Sequence, residues 1–201
     1  MQLIVTCVIG YLLGSIPFAL VIGKLFYKTD IRQYGSGNLG GGNAGRVLGR
    51  NAGLSVMTLD ILKVTFAILL ASWMFGGETL MIAAGISAAI GHCFPVFAGF
   101  KGGKAVATMY GFLFGMMLFG GYSPWIFFLP LLTFMVILYI GKIIAISSIG
   151  SAVAVTVYLC LSGASQPMIA ALVVFALLII WRHMENLKRM VRGQENKIKW
   201  M

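Results

Sequence analysis

The chain opens on an apolar run, MQLIVTCVIGYLLGSIPFALVIGKLFY, which covers residues 1–27. A bilayer-spanning helix needs about 20 mostly apolar residues, and this run is long enough to supply them. A secretory signal peptide would carry a basic segment ahead of a shorter apolar run, followed by small residues at a cleavage site. Because the run has neither feature, we interpret it as the first transmembrane helix.

The composition of the whole chain also indicates a membrane protein. Of its 201 residues, 60% are hydrophobic and only 10% are charged, whereas soluble domains contain about 25% charged residues. Short breaks rich in glycine, serine, lysine and proline divide the rest of the chain into further apolar runs. The sequence therefore predicts an all-α integral membrane protein, with a single membrane-embedded domain over residues 1–201. We expect about seven transmembrane helices, near residues 3–26, 53–75, 79–98, 105–121, 125–140, 143–162 and 167–182.

The basic residues are concentrated in every second loop and in the C-terminal tail. Lys63, inside the second predicted helix, is the exception among the 15 lysines and arginines. The positive-inside rule therefore predicts an outside N-terminus and a cytoplasmic C-terminus. The net charge of +10 is partly this topology signal, and it can also attract anionic membrane lipids. The basic residues follow no nucleic-acid-binding motif, so we expect no nucleic-acid partner.

The first loop contains an unusual polar stretch, YGSGNLGGGNAGR, at residues 34–46. Glycine allows a ligand to approach the backbone closely. Successive backbone N–H groups can form an anion-binding nest, which the side chains of Ser36, Asn38 and Asn43 could extend. Arg46 would add a planar guanidinium suited to two phosphate oxygens. The alternative interpretation is a flexible linker.

A second polar stretch, GHCFPVFAGFKGGK at residues 91–104, ends the third predicted helix. Pro95 interrupts that helix because it has no N–H group. Lys101 and Lys104 then flank a turn just before a new helix, and helix N-termini attract anions. The full P-loop pattern is absent, so a plain basic turn is the alternative. We interpret His92, an isolated histidine in or near a membrane helix, as a structural hydrogen-bonding residue rather than a catalyst.

Two charged residues, Asp60 and Lys63, lie inside the second predicted helix. They are three residues apart, so they can pair on one helix face. Charges in a membrane segment are costly and usually face the interior of the bundle or a wet cavity. The pair therefore either orients its helix or forms one wall of a polar site open to the cytoplasm.

The last predicted helix ends in WRHMEN, residues 181–186. This places Arg182, His183 and Asn186 at the cytoplasmic edge, and the last two share a face if the helix continues. The sequence has no H-E-x-x-H or C-x-x-C pattern and its three cysteines are scattered. We therefore predict no metal site and no cofactor.

These polar stretches, in this order, resemble those of the bacterial acyl-phosphate:glycerol-3-phosphate acyltransferases, integral membrane enzymes that make lysophosphatidic acid. One departure is Gly41-Gly42, where many members carry Ala-Thr. The matching positions are Gly14–Pro17, Gly35–Gly40, Asn43, Arg46, Asp60, Lys63, Gly91–Thr108, Arg182, His183, Asn186, Arg189, Gly193 and Glu195.

The resemblance implies transfer of a fatty acyl group from acyl phosphate to the 1-hydroxyl of glycerol-3-phosphate, in phospholipid biosynthesis. The site would face the cytoplasm at the bacterial inner membrane. Taken with the residue chemistry above, the predicted catalytic residues are Ser36, Arg46, His183 and Asn186. The predicted substrate-binding residues are Gly37, Asn38, Asn43, Lys101, Gly102, Gly103, Lys104 and Arg182. Glu195 matches a residue with a structural role.

The chemistry of the implied substrates agrees with these residues. Both carry phosphate, which favours cationic side chains and N–H donors. Acyl phosphate is already activated, so positioning and charge stabilisation can supply the acceleration without a covalent nucleophile. The general base is either His183 or a substrate phosphate oxygen. The rival hypotheses are a transporter for a small phosphorylated anion and a non-catalytic lipid-binding protein, although the chain shows no internal repeat typical of transporters.

Overall fold

The computed structural model describes residues 1–198, and all the regular elements of this range are helical. Lys199, in the predicted basic tail, lies outside the described residues. Single 3₁₀ turns occur at Ile31–Gln33 and Val96–Ala98. The α-helices are α1 (Gln2–Gly14), α2 (Phe18–Tyr27), α3 (Gly41–Leu48), α4 (Arg50–Met74), α5 (Glu78–Cys93), α6 (Val106–Phe119), α7 (Trp125–Gly141), α8 (Ile144–Leu161), α9 (Gln166–Arg182) and α10 (Met184–Val191).

The seven predicted apolar segments each contain an observed helix. Within residues 1–198, four segments are long and apolar enough to cross a bilayer: Gln2–Tyr27, Arg50–Met74, Glu78–Ala98 and Ile144–Leu161. A fifth results if α9 and α10, which are bent by 53° relative to each other, count as one span. The apolar helices α6 and α7 are shorter, with 14 and 17 residues. The all-α prediction is confirmed.

Prolines interrupt two of the predicted helices. The first, predicted over 3–26, is divided at Ser15–Pro17 into α1 and α2. The third, predicted over 79–98, ends at Cys93, and Phe94 leaves the helical region with φ −129° and ψ 63° just before Pro95. Proline has no N–H group and also disfavours the helical conformation of the residue before it. These two properties of proline account for both breaks.

The short helix α3 was not predicted, because glycine has a low helix propensity and this segment is rich in it. Its formation depends on packing against α4. A Cβ atom on Gly53 would lie 2.6 Å from the Cα atom of Gly45 and 2.9 Å from the Gly41 carbonyl oxygen. The glycines therefore let two helix backbones approach closely, and the interpretation of this stretch as a flexible linker is wrong.

The described chain forms two compact units, and the predicted single domain stays a prediction. The first unit covers residues 1–121, and in it α1 packs along α5, while α4 contacts α3, α5 and α6. The second unit begins at Tyr122, and in it α8 contacts both α7 and α9. All the predicted site residues up to Lys104 belong to the first unit, and Arg182, His183 and Asn186 belong to the second.

Small residues bring α1 and α5 into close contact. A Cβ atom on Gly10 would lie 2.6 Å from the Ala84 carbonyl oxygen, and one on Gly14 would overlap the backbone of Ala88. A Cβ atom on Gly91 of α5 would overlap the Tyr11 carbonyl oxygen. In lipid, such close approach provides much of the packing energy between helices.

We predict that Gly14→Ala destabilises the protein, because α1 must move away from α5 to admit the new methyl group. Overpacking of this kind costs about 1–3 kcal/mol. Thermal unfolding of the detergent-purified protein checks the prediction, with Gly141→Ala as the control because a Cβ atom there has no neighbour within 4 Å. Equal stability of the two variants would contradict the close packing of α1 and α5.

Candidate active site

Asn43 is a buried residue of α3, and its side chain stabilises the preceding glycine-rich loop (residues 34–40) by hydrogen bonds. Its side-chain amide oxygen accepts a hydrogen bond from the Ser36 backbone N–H at 2.9 Å. Its amide nitrogen donates to the carbonyl oxygens of Ile31 and Tyr34, both at 3.2 Å. Asn43 is only 3% exposed. Its geometry is that of a residue that positions Ser36, and its role as a substrate ligand stays a prediction.

The backbone on either side of Ser36 requires glycine. Gly35 and Gly37 have φ values of +61° and +67°, in the left-handed region that L-residues rarely adopt. The N–H groups of Ser36, Gly37 and Gly40 all donate to acceptors within the loop. These three groups therefore do not converge on an anion as the predicted nest would require. Anion binding here stays a prediction that depends on side chains, and both Ser36 and Arg46 are exposed.

The segment leading into this loop is stabilised by an ion pair. The Asp30 carboxylate accepts hydrogen bonds from the backbone N–H and the guanidinium of Arg32, the closest contact being 2.6 Å. This side-chain hydrogen bond is the main cause that lowers the pKa of Asp30 to about 2. Asp30 is therefore ionised at neutral pH, and it caps the 3₁₀ turn at Ile31–Gln33 that precedes the glycine-rich loop.

Asn38 joins the glycine-rich loop to the second predicted site segment. Its amide nitrogen donates to the carbonyl oxygen of Gly102 at 3.1 Å, and its amide oxygen accepts from the Gly40 N–H at 2.9 Å. One side chain thus orders its own loop and fixes that loop to the turn at residues 101–104. The two segments, 64 residues apart in sequence, form one surface.

The glycines of this turn are needed because the turn lies tightly against the end of α5. A Cβ atom on Gly102 would overlap the His92 carbonyl oxygen, and one on Gly103 would overlap the His92 imidazole. Neither glycine has a positive φ. Both are buried, whereas Lys101 is exposed and Lys104 is half-buried. The sequence interpretation, which linked these residues to anion binding, missed this packing requirement.

The predicted pair of Asp60 and Lys63 forms, with an Oδ1–Nζ distance of 2.8 Å, and both side chains are buried. Two partners were not predicted. The Lys63 ammonium also lies 2.9 Å from the Ile16 carbonyl oxygen and 3.1 Å from His92 Nδ1. Pro17 is the signal that could have indicated Ile16, because a proline break exposes nearby carbonyl groups. The burial favours the interpretation in which the pair orients its helix.

Gly41 and Gly42, which stand where many family members carry Ala-Thr, have different surroundings. A Cβ atom on Gly41 would lie 2.8 Å from the Gly53 carbonyl oxygen, so the residue is packed against α4. A Cβ atom on Gly42 would have no neighbour within 4 Å. A side chain at residue 42 would therefore project into open space, and glycine leaves that space free next to the loop.

In the second unit, His183 lies where α9 ends and the helix direction changes. The condition under which His183 and Asn186 would share a helix face, that α9 continues beyond Arg182, is not met, because α10 begins at Met184 after a bend of 53°. His183 is 2% exposed, and its Nδ1 lies 2.8 Å from the Ile179 carbonyl oxygen. Because a carbonyl only accepts, Nδ1 carries the proton and Nε2 is the basic nitrogen of the neutral ring.

Glu195 fastens the segment after α10 to that helix. Its carboxylate accepts from the Asn186 amide at 2.6 Å and from the Arg189 guanidinium at 2.9 Å. This geometry fits the structural role implied for Glu195, and it fixes the orientation of the Asn186 amide. Arg182, the last residue of α9, is half-buried.

We predict that Asn43→Ala loosens the glycine-rich loop, because the Ser36 N–H would lose its partner and the carbonyl groups of Ile31 and Tyr34 would each lose one of two donors. Each buried polar group left without a partner costs about 1–3 kcal/mol. Hydrogen–deuterium exchange over residues 31–43 should accelerate by about tenfold or more. Asn51→Ala, at an exposed position of α4, is the control, and unchanged exchange in Asn43→Ala would contradict the proposed role of Asn43.

The chain is similar to known proteins over nearly its whole length. The family model of glycerol-3-phosphate acyltransferase matches residues 4–193. The glycerol-3-phosphate acyltransferase of Listeria monocytogenes is 43% identical over 202 residues, which cover 100% of this chain and 98% of the relative. The enzyme of the same name from Geobacillus kaustophilus is 44% identical over 193 residues, which cover 96% and 94%.

Two solved structures have the same fold. Both are crystal structures of PlsY, an integral membrane glycerol 3-phosphate acyltransferase, one in its glycerol 3-phosphate form and one in its lysophosphatidic acid form. Their TM-scores to this chain are 0.90 and 0.88, at 34% sequence identity, over 99% of this chain and 96% of theirs. The predicted class, an all-α integral membrane protein that crosses the bilayer several times, is confirmed. By family model, relatives and fold, the chain belongs to the glycerol-3-phosphate acyltransferase family.

Proposed function

We propose that the protein transfers a fatty acyl group from acyl phosphate to the 1-hydroxyl of glycerol-3-phosphate, producing lysophosphatidic acid and phosphate. The observation that carries this proposal is the Asn38–Gly102 hydrogen bond of 3.1 Å, which joins the Ser36 loop and the Lys104 turn into one surface. Family membership supports the acceptor, because the neighbouring PlsY structures were solved in glycerol 3-phosphate and lysophosphatidic acid forms. We place the reaction at the cytoplasmic face of a bacterial cell membrane.

The acceptor binds through its phosphate. Lys104 and Arg46 provide an ammonium and a guanidinium on the joined loops, and charge-assisted hydrogen bonds to phosphate are about twice as strong as neutral ones. Lys101, which is exposed, adds positive charge at the edge of the same turn. The donor presents a second phosphate, while its acyl chain stays among the apolar helices and membrane lipids.

The chemical step needs orientation more than activation. The 1-hydroxyl oxygen attacks the acyl carbonyl carbon, a new ester C–O bond forms, and the anhydride C–O bond breaks as phosphate leaves with its electron pair. Ser36 has a hydroxyl suited to orienting the carbonyl or a phosphate oxygen. The hydroxyl proton passes to a general base, for which the sequence leaves two candidates, His183 and a phosphate oxygen of the substrates. Neither route requires a metal or a cofactor.

We predict that Ser36→Ala lowers kcat by about 10²–10³, the usual effect of removing one oxyanion-type donor, while the kinetics of the wild type remain sequential. Purified protein is assayed with acyl phosphate and labelled glycerol-3-phosphate, and lysophosphatidic acid is measured without coenzyme A. Ser55→Ala, at an exposed position in α4, is the matched control. Covalent catalysis would instead give ping-pong kinetics. A hydroxylamine-labile acyl adduct on Ser36, seen by mass spectrometry when the acceptor is withheld, would overturn direct transfer.

A further inference from the structure

A buried charged cluster of Asp60, Lys63 and His92 lies beneath the Lys104 turn. The three residues are 1%, 5% and 6% exposed. Ionisable groups inside membrane segments are costly and are usually functional. Within the described residues, the second carboxylate oxygen of Asp60 is buried without a hydrogen-bond partner.

Lys63 fixes the orientation of the His92 ring. An ammonium group has three N–H donors, and Lys63 has three acceptors within reach: Asp60 Oδ1 at 2.8 Å, the Ile16 carbonyl oxygen at 2.9 Å and His92 Nδ1 at 3.1 Å. Asp60 Oδ1 is further from His92 Nδ1, at 3.5 Å. Because Lys63 donates to Nδ1, the neutral ring carries its proton on Nε2.

The opposite edge of the ring supports the turn. A Cβ atom on Gly103 would overlap Nε2 and Cε1 of His92 and lie 2.8 Å from Cδ2. The backbone of His92 also accepts a hydrogen bond from the Gly103 N–H at 3.0 Å. Gly103 does not have a positive φ, so a left-handed backbone is not the reason for glycine at this position. The His92 ring is therefore the closest barrier to a side chain at residue 103.

We propose that His92 is a positioning residue for the transfer reaction. Asp60 and Lys63 fix the orientation of the His92 ring. The ring in turn fixes the position of the Gly102–Gly103 turn, so that Lys104 can bind the acceptor phosphate. The same turn carries the Gly102 carbonyl that fixes Asn38 and the glycine-rich loop. The proposal rests on the proposed function, and it assigns to the buried cluster a role in acceptor binding.

The test is a steric double-mutant cycle on His92 and Gly103. Gly103→Ala drives a methyl group into the ring, so we expect the KM for glycerol-3-phosphate to rise at least tenfold, with a smaller change for acyl phosphate. His92→Ala removes the support and raises the same KM. In His92→Ala/Gly103→Ala the methyl group occupies the vacated space, so we expect at least a fivefold recovery relative to Gly103→Ala. Gly141→Ala is the control that adds a methyl group remote from other atoms.

A merely structural role predicts a different result. Partial misfolding lowers the active fraction, and thus the apparent kcat, with no selective effect on one KM. Absence of recovery in the double variant, or equal changes in both KM values, would overturn the proposal. If His92→Ala does not fold, His92→Asn replaces it, because the asparagine oxygen still accepts from Lys63.

Equilibrium binding of radiolabelled glycerol-3-phosphate, measured without acyl phosphate on the same proteins, separates this proposal from the proposed function. Wild-type protein that binds the acceptor but forms no lysophosphatidic acid would contradict the proposed function alone. In that case the dissociation constants for glycerol-3-phosphate replace the KM values in the double-mutant cycle. We expect the same recovery of acceptor affinity in the double variant, and its absence would overturn the role of His92.

Discussion

The Lys63 ammonium is held within a membrane helix, where a single basic residue costs at least about 2.5–3.5 kcal/mol. The cost is met by acceptors from three separate segments: the Asp60 carboxylate on α4, the His92 imidazole on α5 and the Ile16 carbonyl at the break between α1 and α2. Satisfying one charge thus fixes three parts of the first unit relative to one another. The candidate site depends on these contacts of Lys63, because His92 also contacts the Gly103 turn.

The glycines of this chain act mainly through their small size. Gly14, Gly53 and Gly103 lie where a Cβ atom would meet a neighbouring backbone or ring. Gly35 and Gly37, on either side of Ser36, are instead required by their positive φ. The loops that carry the predicted site residues are therefore closely packed and hydrogen-bonded. Such pre-organisation suits a reaction whose donor is already activated, because the enzyme then has to orient two substrates rather than create a nucleophile.

Much of the architecture could be predicted from local sequence. Continuous apolar runs indicate membrane helices, and the proline positions account for where two of them break. The spacing of Asp60 and Lys63 predicted their pairing, which the structure contains. The helix α3 could not be predicted in this way, because its glycines oppose a helix locally and only contact with Gly53 on α4 explains it.

The parts of the site that could not be predicted depend on contacts between residues distant in sequence. Asn43 was expected to face a ligand, yet its amide is used within the loop, at Ser36, Ile31 and Tyr34. His92 was interpreted as a structural hydrogen-bonding residue, and no local pattern identifies Lys63, 29 residues away, as its partner. The sequence indicates which side chains could bind a substrate or form hydrogen bonds. Tertiary contacts decide which of these side chains instead position other residues of the site.

The buried cluster serves the candidate site as well as orienting its helix, because its His92 ring contacts the Gly103 turn. The most direct test replaces both charges together, as Asp60→Leu/Lys63→Met, because exchanging a buried ion pair for apolar residues is often neutral or stabilising. We predict a protein that unfolds at or above the wild-type temperature but binds glycerol-3-phosphate at least tenfold more weakly, since the His92 ring is no longer held. A double variant that binds the acceptor with wild-type affinity, or one that fails to fold, would contradict the account.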